Sequence, residues 1–468
     1  MKISFHGAAR TVTGSKHLVT LDDGRNILLD CGMFQGMGSH TDEFNMDFGF
    51  DPASVNYLIL SHAHIDHCGL IPKLIADGYK GKVFATPATV ELATLLMEDS
   101  AGIQESDIKY SNRARMQKNL PLLKPLYTTE EARKAAEHFE KLDYDQWYEI
   151  DKGIEVCFKD AGHIIGSASV HLRITENSKT RQISFSGDVG RYRDMILRSP
   201  AEFSQADYIL IESTYGNSIH DQKESSVDVL LKWIVETCLE KKGKLIIPAF
   251  SVGRTQEILF NLNQLELEKR LPPLDYFVDS PLSRNATRIV KSYPAYFNSR
   301  IQKILQKDED PFSFKGLKFI GSVEESKMLN YYDGPCVIIS ASGMAEAGRV
   351  KHHISNNIEN SRNAILLTGY CEPHSLGGRL KRGDKEVTIF AQRHEVHAKV
   401  GEISSMSAHG DYDDLCQFLA CQNPAMVRKL FLVHGEYPVQ EEFRDRLISK
   451  GFKDVDIPER HSTHLLED

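Results

Sequence analysis

The chain has 468 residues, 41% of them apolar and 26% charged, which suits two or three ordinary globular domains. No run of about 18 apolar residues occurs, so no membrane-spanning helix is expected, and Met1-Lys2-Ile3-Ser4-Phe5 does not open a secretory signal. A net charge of −9 argues against nucleic-acid binding by the whole surface but not by a local basic groove, and eight scattered cysteines without a CxxC pair read as reduced thiols of a cytoplasmic protein.

In chain order, the first 215 residues are rich in short apolar runs that end in polar, glycine-containing loops. "KISFHG", "KHLVTL", "NILLDCG", "YLILSHAH", "IEVCFKDAGH", "SVHLRI", "QISFSGD" and "YILIEST" read as strands. Several are continuously apolar, as strands covered on both faces are. Helical spacing appears over 68–78, 87–98 and 129–141, the last behind a Thr128 or Thr129 cap. From about residue 216, longer helices alternate with single buried strands: helix 222–240, "KLIIPAF", helix 254–269, "LDYFVDS", helix 283–292, "LKFIG", "PCVIISASG", helix 346–357 and "NAILLTGY". That alternation predicts a parallel sheet with helices on its faces. After about residue 400 the first pattern returns with "AKVGEISSMSAHG", helix 411–420, "RKLFLVHGE" and helix 437–448. The middle therefore reads as an insertion: residues 1–215 and 403–468 form one domain, and 216–402 another.

The chemistry concentrates where apolar runs end. "SHAHIDH" supplies His62, His64, Asp66 and His67, and six other junctions supply Asp30, His163, Asp188, Glu212, His409 and His434. Any one of these is an unremarkable residue, but the set is not. Imidazole and carboxylate without thiolate suit zinc, with manganese or iron as competitors, and six or seven ligands require two ions. Two glycine-serine turns that follow strands, with Ser340, Ser342 and Gly343 in "SASGMAEAG" and Ser375 and Gly377 in "HSLGG", read as weak candidates for offering backbone N–H groups to a phosphate. Three basic clusters are candidates for a groove: Arg191, Arg193 and Arg198; Arg284 and Arg288; and Arg379, Lys381 and Arg382.

These residues, in this order, resemble the β-CASP nucleic-acid-processing branch of the metallo-β-lactamase superfamily. That branch holds bacterial and archaeal ribonucleases and the nuclease subunit of the cleavage and polyadenylation specificity factor. "PAFSVGRTQEIL", "VDSPL" and "SASGMAEAGRVKHH" are similar to its bacterial ribonucleases, whereas "GYCEPHSLGGRL" departs from the relatives' usual text. The resemblance implies an αββα sandwich with an inserted α/β domain. It also implies a zinc-dependent hydrolase that cuts RNA phosphodiester bonds by a two-metal mechanism with a bridging hydroxide. His62, His64 and His163 would hold one ion and Asp66, His67 and His434 the other, with Asp188 bridging and Asp30 orienting a ligand. Glu212 and His409 would form the acid pair that protonates the leaving oxygen. The implied partner is single-stranded RNA, with no membrane, and with a homodimer as the alternative to a monomer. Open alternatives are a DNA nuclease, a lactone or thioester hydrolase, and a non-catalytic scaffold; a turn-forming role for Asp30 and a plain ion pair for Glu212 and His409 stand beside the functional ones.

Overall fold

The computed structural model describes residues 1–220, 225–369, 371–403 and 406–467. Two compact units emerge: one of residues 1–219 with 409–468, and one of residues 220–408.

The first unit contains two seven-stranded sheets. One runs Thr463–Leu465, Lys2–Gly7, Lys16–Thr20, Asn26–Leu29, Tyr57–Ile59, Lys82–Ala85 and Phe139–Lys141. The other runs Val455–Asp456, Lys429–Val433, Tyr208–Glu212, Lys179–Phe185, Ala168–Glu176, Ile154–Asp160 and Trp147–Asp151. Their facing sides form one core, in which Phe5, Val19, Ile27 and Leu29 meet Phe158, Val170, Phe185 and Phe431. On its other face the second sheet carries helices Tyr412–Leu419 and Tyr437–Ser449. Leu415, Phe418, Phe443 and Leu447 pack there on Ile209, Ile211, Leu430 and Leu432. Burial on both faces explains why "YILIE" and "KLFLV" lack an apolar-polar alternation. The result is the αββα sandwich, closed by residues from both ends of the chain.

The second unit is built on a six-stranded sheet in the order Leu317–Phe319, Asp275–Val278, Cys336–Ser340, Lys244–Pro248, Ala364–Leu367 and Lys399–Glu402, paired in parallel throughout. Helix Arg349–Asn357 covers it with Val350 and Ile354, and helix Leu376–Arg382 with Leu376 and Leu380.

Several elements differ from the sequence reading. The helix expected over 87–98 runs on to Gln117. The one expected over 129–141 stops at Ala135 behind a Thr128–Glu131 capping box, and Phe139–Lys141 is an edge strand beside Lys82–Ala85. The helix expected over 222–240 is α-helical over Ser226–Ile234 and then widens into a π-helix over Val235–Glu240; residues 222–224 lie outside the described residues. Strand Lys399–Glu402, grouped above with the C-terminal segment, pairs with Ala364–Leu367 in the second unit. Ser404 and Ser405 of "AKVGEISSMSAHG" and Tyr370 of "GYCEPHSLGGRL" lie outside the described residues. Among the described residues no helix is long and apolar enough to cross a membrane.

Candidate metal centre

Most of the converging residues stand at strand ends of the first unit; His409 is the exception, seven residues beyond strand Lys399–Glu402. Strand Tyr57–Ile59 leads into His62 and His64, and one helical turn, Ile65–Cys68, carries Asp66 and His67. The loop after strand Asn26–Leu29 lies against that turn: Cys31 N–H donates to His67 O at 2.8 Å and Met33 N–H to Ile65 O at 2.9 Å. Only glycine fits at position 32, because a Cβ there would stand 1.6 Å from Asp66 O. The loops of His163 and Asp188 approach as closely, with Gly190 N–H donating to Ala161 O at 2.8 Å. Asp30 and His434 both adopt left-handed backbone, with φ of 58° and 50°. Such backbone is uncommon for residues other than glycine and costs on the order of 1–3 kcal/mol, so the surrounding structure must hold both residues in place.

The side chains converge in three groups, two of which are built on the His62–His67 cluster. In the first, His64 Nδ1 lies 3.2 Å from His62 Nε2 and 3.1 Å from His163 Nε2, while Asp188 Oδ2 lies 3.4 Å from His62 Nε2 and 3.5 Å from His163 Nε2. In the second, His434 Nε2 stands 3.2 Å from His67 Nε2 and 3.4 Å from Asp66 Oδ2, and the other Asp188 oxygen is 3.3 Å from His67 Nε2. A tetrahedral ion with bonds of about 2.0–2.1 Å has ligand-to-ligand edges of about 3.3–3.4 Å. Both groups therefore have the spacing of ligands on a metal ion; the buried Asp188 belongs to the first through Oδ2 and reaches the second through the approach of Oδ1 to His67.

Electrostatics agree with that fit. Burial holds His62 well below the ordinary histidine range and His64 at about 4, so both imidazoles are neutral, the form that metal binding requires. Burial also disfavours a charged His67, but Asp188 and Asp30 on either side outweigh it and push its pKa well up. That point of the structure calls for positive charge. Burial likewise works against the Asp66 carboxylate, yet the neighbouring His434 and His67 imidazoles hold it at about 2.

Around the ligands two hydroxyls set the tautomers. Ser61 Oγ has one proton and gives it to Asp30 Oδ2 at 2.9 Å, so at 3.1 Å it accepts from His62 Nδ1. Thr214 Oγ1 gives its proton to Glu212 Oε2 at 2.6 Å and so accepts from His434 Nδ1 at 3.1 Å. Asp30 accepts directly from His67 Nδ1 at 2.7 Å and from Ser61 N–H at 2.8 Å. In His62, His67 and His434 the Nε2 lone pair is thereby turned inward. Sequence reading passed over Ser61 and Thr214. Their only signal was adjacency, Ser61 beside His62 and Thr214 two residues beyond Glu212. Thr214→Val keeps the shape and removes the hydroxyl; we expect metal affinity to fall about 10–100-fold, the usual effect of losing a group that orients a ligand. Competition with a chromophoric chelator reads this directly, and unchanged affinity would remove Thr214 from this role.

Glu212 and His409 form the third group, with Asp188 and His434. The buried Glu212 carboxylate accepts from Val189 N–H at 2.6 Å and faces His409 Nδ1 with both oxygens at 3.2 Å. Burial disfavours a charged His409, but Glu212, Asp188 and Asp66 prevail and hold its pKa at about 9. His409 Nδ1 lies 3.9 Å from Asp188 Oδ2.

The candidate phosphate loops belong to the second unit and do not match the role suggested for them. Ser342 N–H donates to Ala347 O, Gly377 N–H to Met344 O at 3.0 Å and Ser375 N–H to Glu372 O at 3.0 Å. The Ser340 hydroxyl donates to Asp279 O at 2.8 Å, and the Ser375 hydroxyl caps its helix through Gly378 N–H. Gly343 is a tight packing position, where a Cβ would meet the Phe250 ring at 2.5 Å. These groups are committed to holding their own turns. Of the basic clusters, Lys381 is paired with Glu402 at 2.7 Å and Arg382 with Asp384 at 2.8 Å.

Comparison with known proteins agrees with this arrangement. The profile of the metallo-beta-lactamase superfamily matches residues 13–232, that of the Beta-Casp domain residues 255–380, and that of the Zn-dependent metallo-hydrolase RNA specificity domain residues 393–458. A ribonuclease of Thermus thermophilus is 35% identical over 93% of this chain and 93% of its own length. Transcription termination factor FttA of Methanocaldococcus jannaschii is 30% identical over 98% of this chain and 70% of its own, and Integrator complex subunit 11 of Danio rerio 28% over 96% and 71%. The chain is a member of the metallo-β-lactamase superfamily and, within it, of the β-CASP family of metal-dependent nucleases.

Proposed function

We propose that this protein hydrolyses phosphodiester bonds of single-stranded RNA, with two zinc ions held by His62, His64, His163 and Asp188 on one side and by Asp66, His67, His434 and Asp188 on the other. The observation that carries the reading is the shared Asp188 carboxylate, buried between two convergent ligand groups with a protonated imidazole beside it. Such a pair of ions, when bound, supplies a nucleophilic water at neutral pH and offsets charge on the phosphoryl oxygens. The chain's own residues do the rest. Ser61, Asp30 and Thr214 keep the ligand imidazoles in the right tautomer. Glu212 keeps His409 protonated through Nδ1, and the opposite nitrogen, Nε2, gives its proton to the 3′-oxygen as it leaves. A ribonuclease among the relatives supports RNA as the substrate.

The test is incubation of purified protein with end-labelled single-stranded RNA, single-stranded DNA and a lactone panel, before and after chelation and zinc or manganese replenishment. RNA cleavage that chelation abolishes and zinc restores is the expected result. Cleavage of DNA alone, of lactones alone, or of RNA undiminished by a chelator that strips all metal would replace the reading.

A further inference from the structure

Helix Pro87–Gln117 begins beside the loop that carries His163. Its first turn is tied to the His163 loop, where the Thr86 and Thr89 hydroxyls donate to Gly166 O at 2.6 and 2.8 Å. At 1.5 Å per residue, Lys109 lies about 30 Å farther along the axis than Thr89. Past Ala101 the described helix has no buried residue, yet the chain that follows it is strapped back along one side. Arg115 Nε donates to Pro121 O at 2.6 Å, Asn112 exchanges two hydrogen bonds with Leu123 at 2.9 and 3.0 Å, and Gln104 accepts from Leu126 N–H at 3.1 Å.

The opposite side is open. At 100° per residue Lys109, Tyr110, Arg113 and Met116 fall within an arc of about 120°, and all four are exposed, Tyr110 by 80% and Met116 by 60%. Residues 109–124 contain five cations, Lys109, Arg113, Arg115, Lys118 and Lys124, and no acid, in a chain whose net charge is −9. Among the described residues no ion pair engages Lys109, Arg113, Lys118 or Lys124. Local positive charge of this density on an acidic protein is complementary to a polyanion, and an exposed tyrosine between cations offers a stacking surface to a base.

We propose that this arm docks the phosphate backbone of single-stranded RNA at a distance from the scissile bond, with Lys109 and Arg113 on phosphates and Tyr110 under a base. The proposal rests on the ribonuclease reading above. It makes substrate length matter: at about 3.4 Å per stacked nucleotide, about nine nucleotides span the 30 Å from the first turn of the helix to Lys109.

Steady-state cleavage of an RNA of about 20 nucleotides and one of about six tests it, using wild-type protein, Lys109→Glu/Arg113→Glu and Tyr110→Ala across a salt series. For the long RNA the double variant should raise KM about 10-fold at low salt and flatten the log–log salt slope by about 1.4, at about 0.7 per phosphate contact on a single strand. Its kcat, and both constants on the short RNA, should match wild type. Tyr110→Ala should raise KM on the long RNA without changing the slope. A double variant with wild-type KM and slope on the long RNA overturns the arm while wild-type cleavage leaves the ribonuclease reading standing; a wild type that cuts neither RNA removes that reading instead. A change in sedimentation behaviour with RNA affinity intact assigns the face to self-association and overturns the proposal.

Discussion

His409→Ala will leave both metal positions filled and slow RNA cleavage by about 10²–10⁴-fold, the range a positioned general acid contributes. His409 approaches Asp188 no nearer than 3.9 Å and rests on Glu212 instead, so its loss removes a proton rather than a ligand. The diagnostic is the leaving group. RNA with sulfur in place of the bridging 3′-oxygen leaves without protonation, so that substrate should largely rescue His409→Ala. It should fail to rescue His434→Ala, which lacks a nitrogen from the second ligand group. Glu212→Gln gives the same division through pH. Glu212 raises the His409 pKa, so the donor is present below that pKa and lost above it; wild-type kcat falls on an alkaline limb at or below about pH 9. Without the carboxylate that limb moves down, because burial alone pushes the imidazole the other way. A variant that loses metal, or an alkaline limb that stays in place, would transfer His409 to a different task.

Asp188→Asn will lose both ions and reduce cleavage to background. Each Asp188 oxygen faces one ligand group, and its carboxylate lies within 3.6 Å of nitrogens from His62, His67, His163 and His434. The amide keeps the volume, discards the charge and turns a donor towards imidazoles that have none to accept it once their Nε2 lone pairs are engaged. Elemental analysis should therefore show near-zero metal where wild type carries about two equivalents. Stability provides a second reading. A ligand that binds only the folded state adds about 2.7 kcal/mol at 100 times its Kd, so a chelator should lower wild-type Tm and leave that of Asp188→Asn unmoved. Retention of one equivalent would mean that the two groups bind independently.

The strands and the convergent imidazoles and carboxylates were legible because both depend on local text. Continuous apolar runs can only be buried strands or buried helices, and their length decided between them; polar residues at seven such run ends were conspicuous. What escaped was set by distant parts of the fold. The outer half of helix Pro87–Gln117 carries no apolar stripe, since its back is held by Gln104, Asn112 and Arg115 hydrogen bonds rather than by a core. Phe139–Lys141 is three residues long, too short for any period to distinguish strand from helix, and its partner Lys82–Ala85 lies far back in the chain. Ser61 and Thr214 acquire their roles only from carboxylates that folding brings to them. The glycine-serine turns misled for the opposite reason: a turn that uses its N–H groups internally has the same composition as one that offers them outward.

Strand Tyr208–Glu212 is zipped on one side to Lys179–Phe185 and on the other to Lys429–Val433, which the ribosome makes much later. At about 5–20 residues per second, the interval between Glu212 and Val433 is on the order of 11–44 s. Throughout it the nascent chain displays an unpaired strand edge and holds His62, His64 and His163 without His409 or His434. On the proposed function, the cleaving site is therefore incomplete until His409 and His434, which follow the second domain in the chain, have been made. The same delay asks the cell to shield that edge while synthesis finishes.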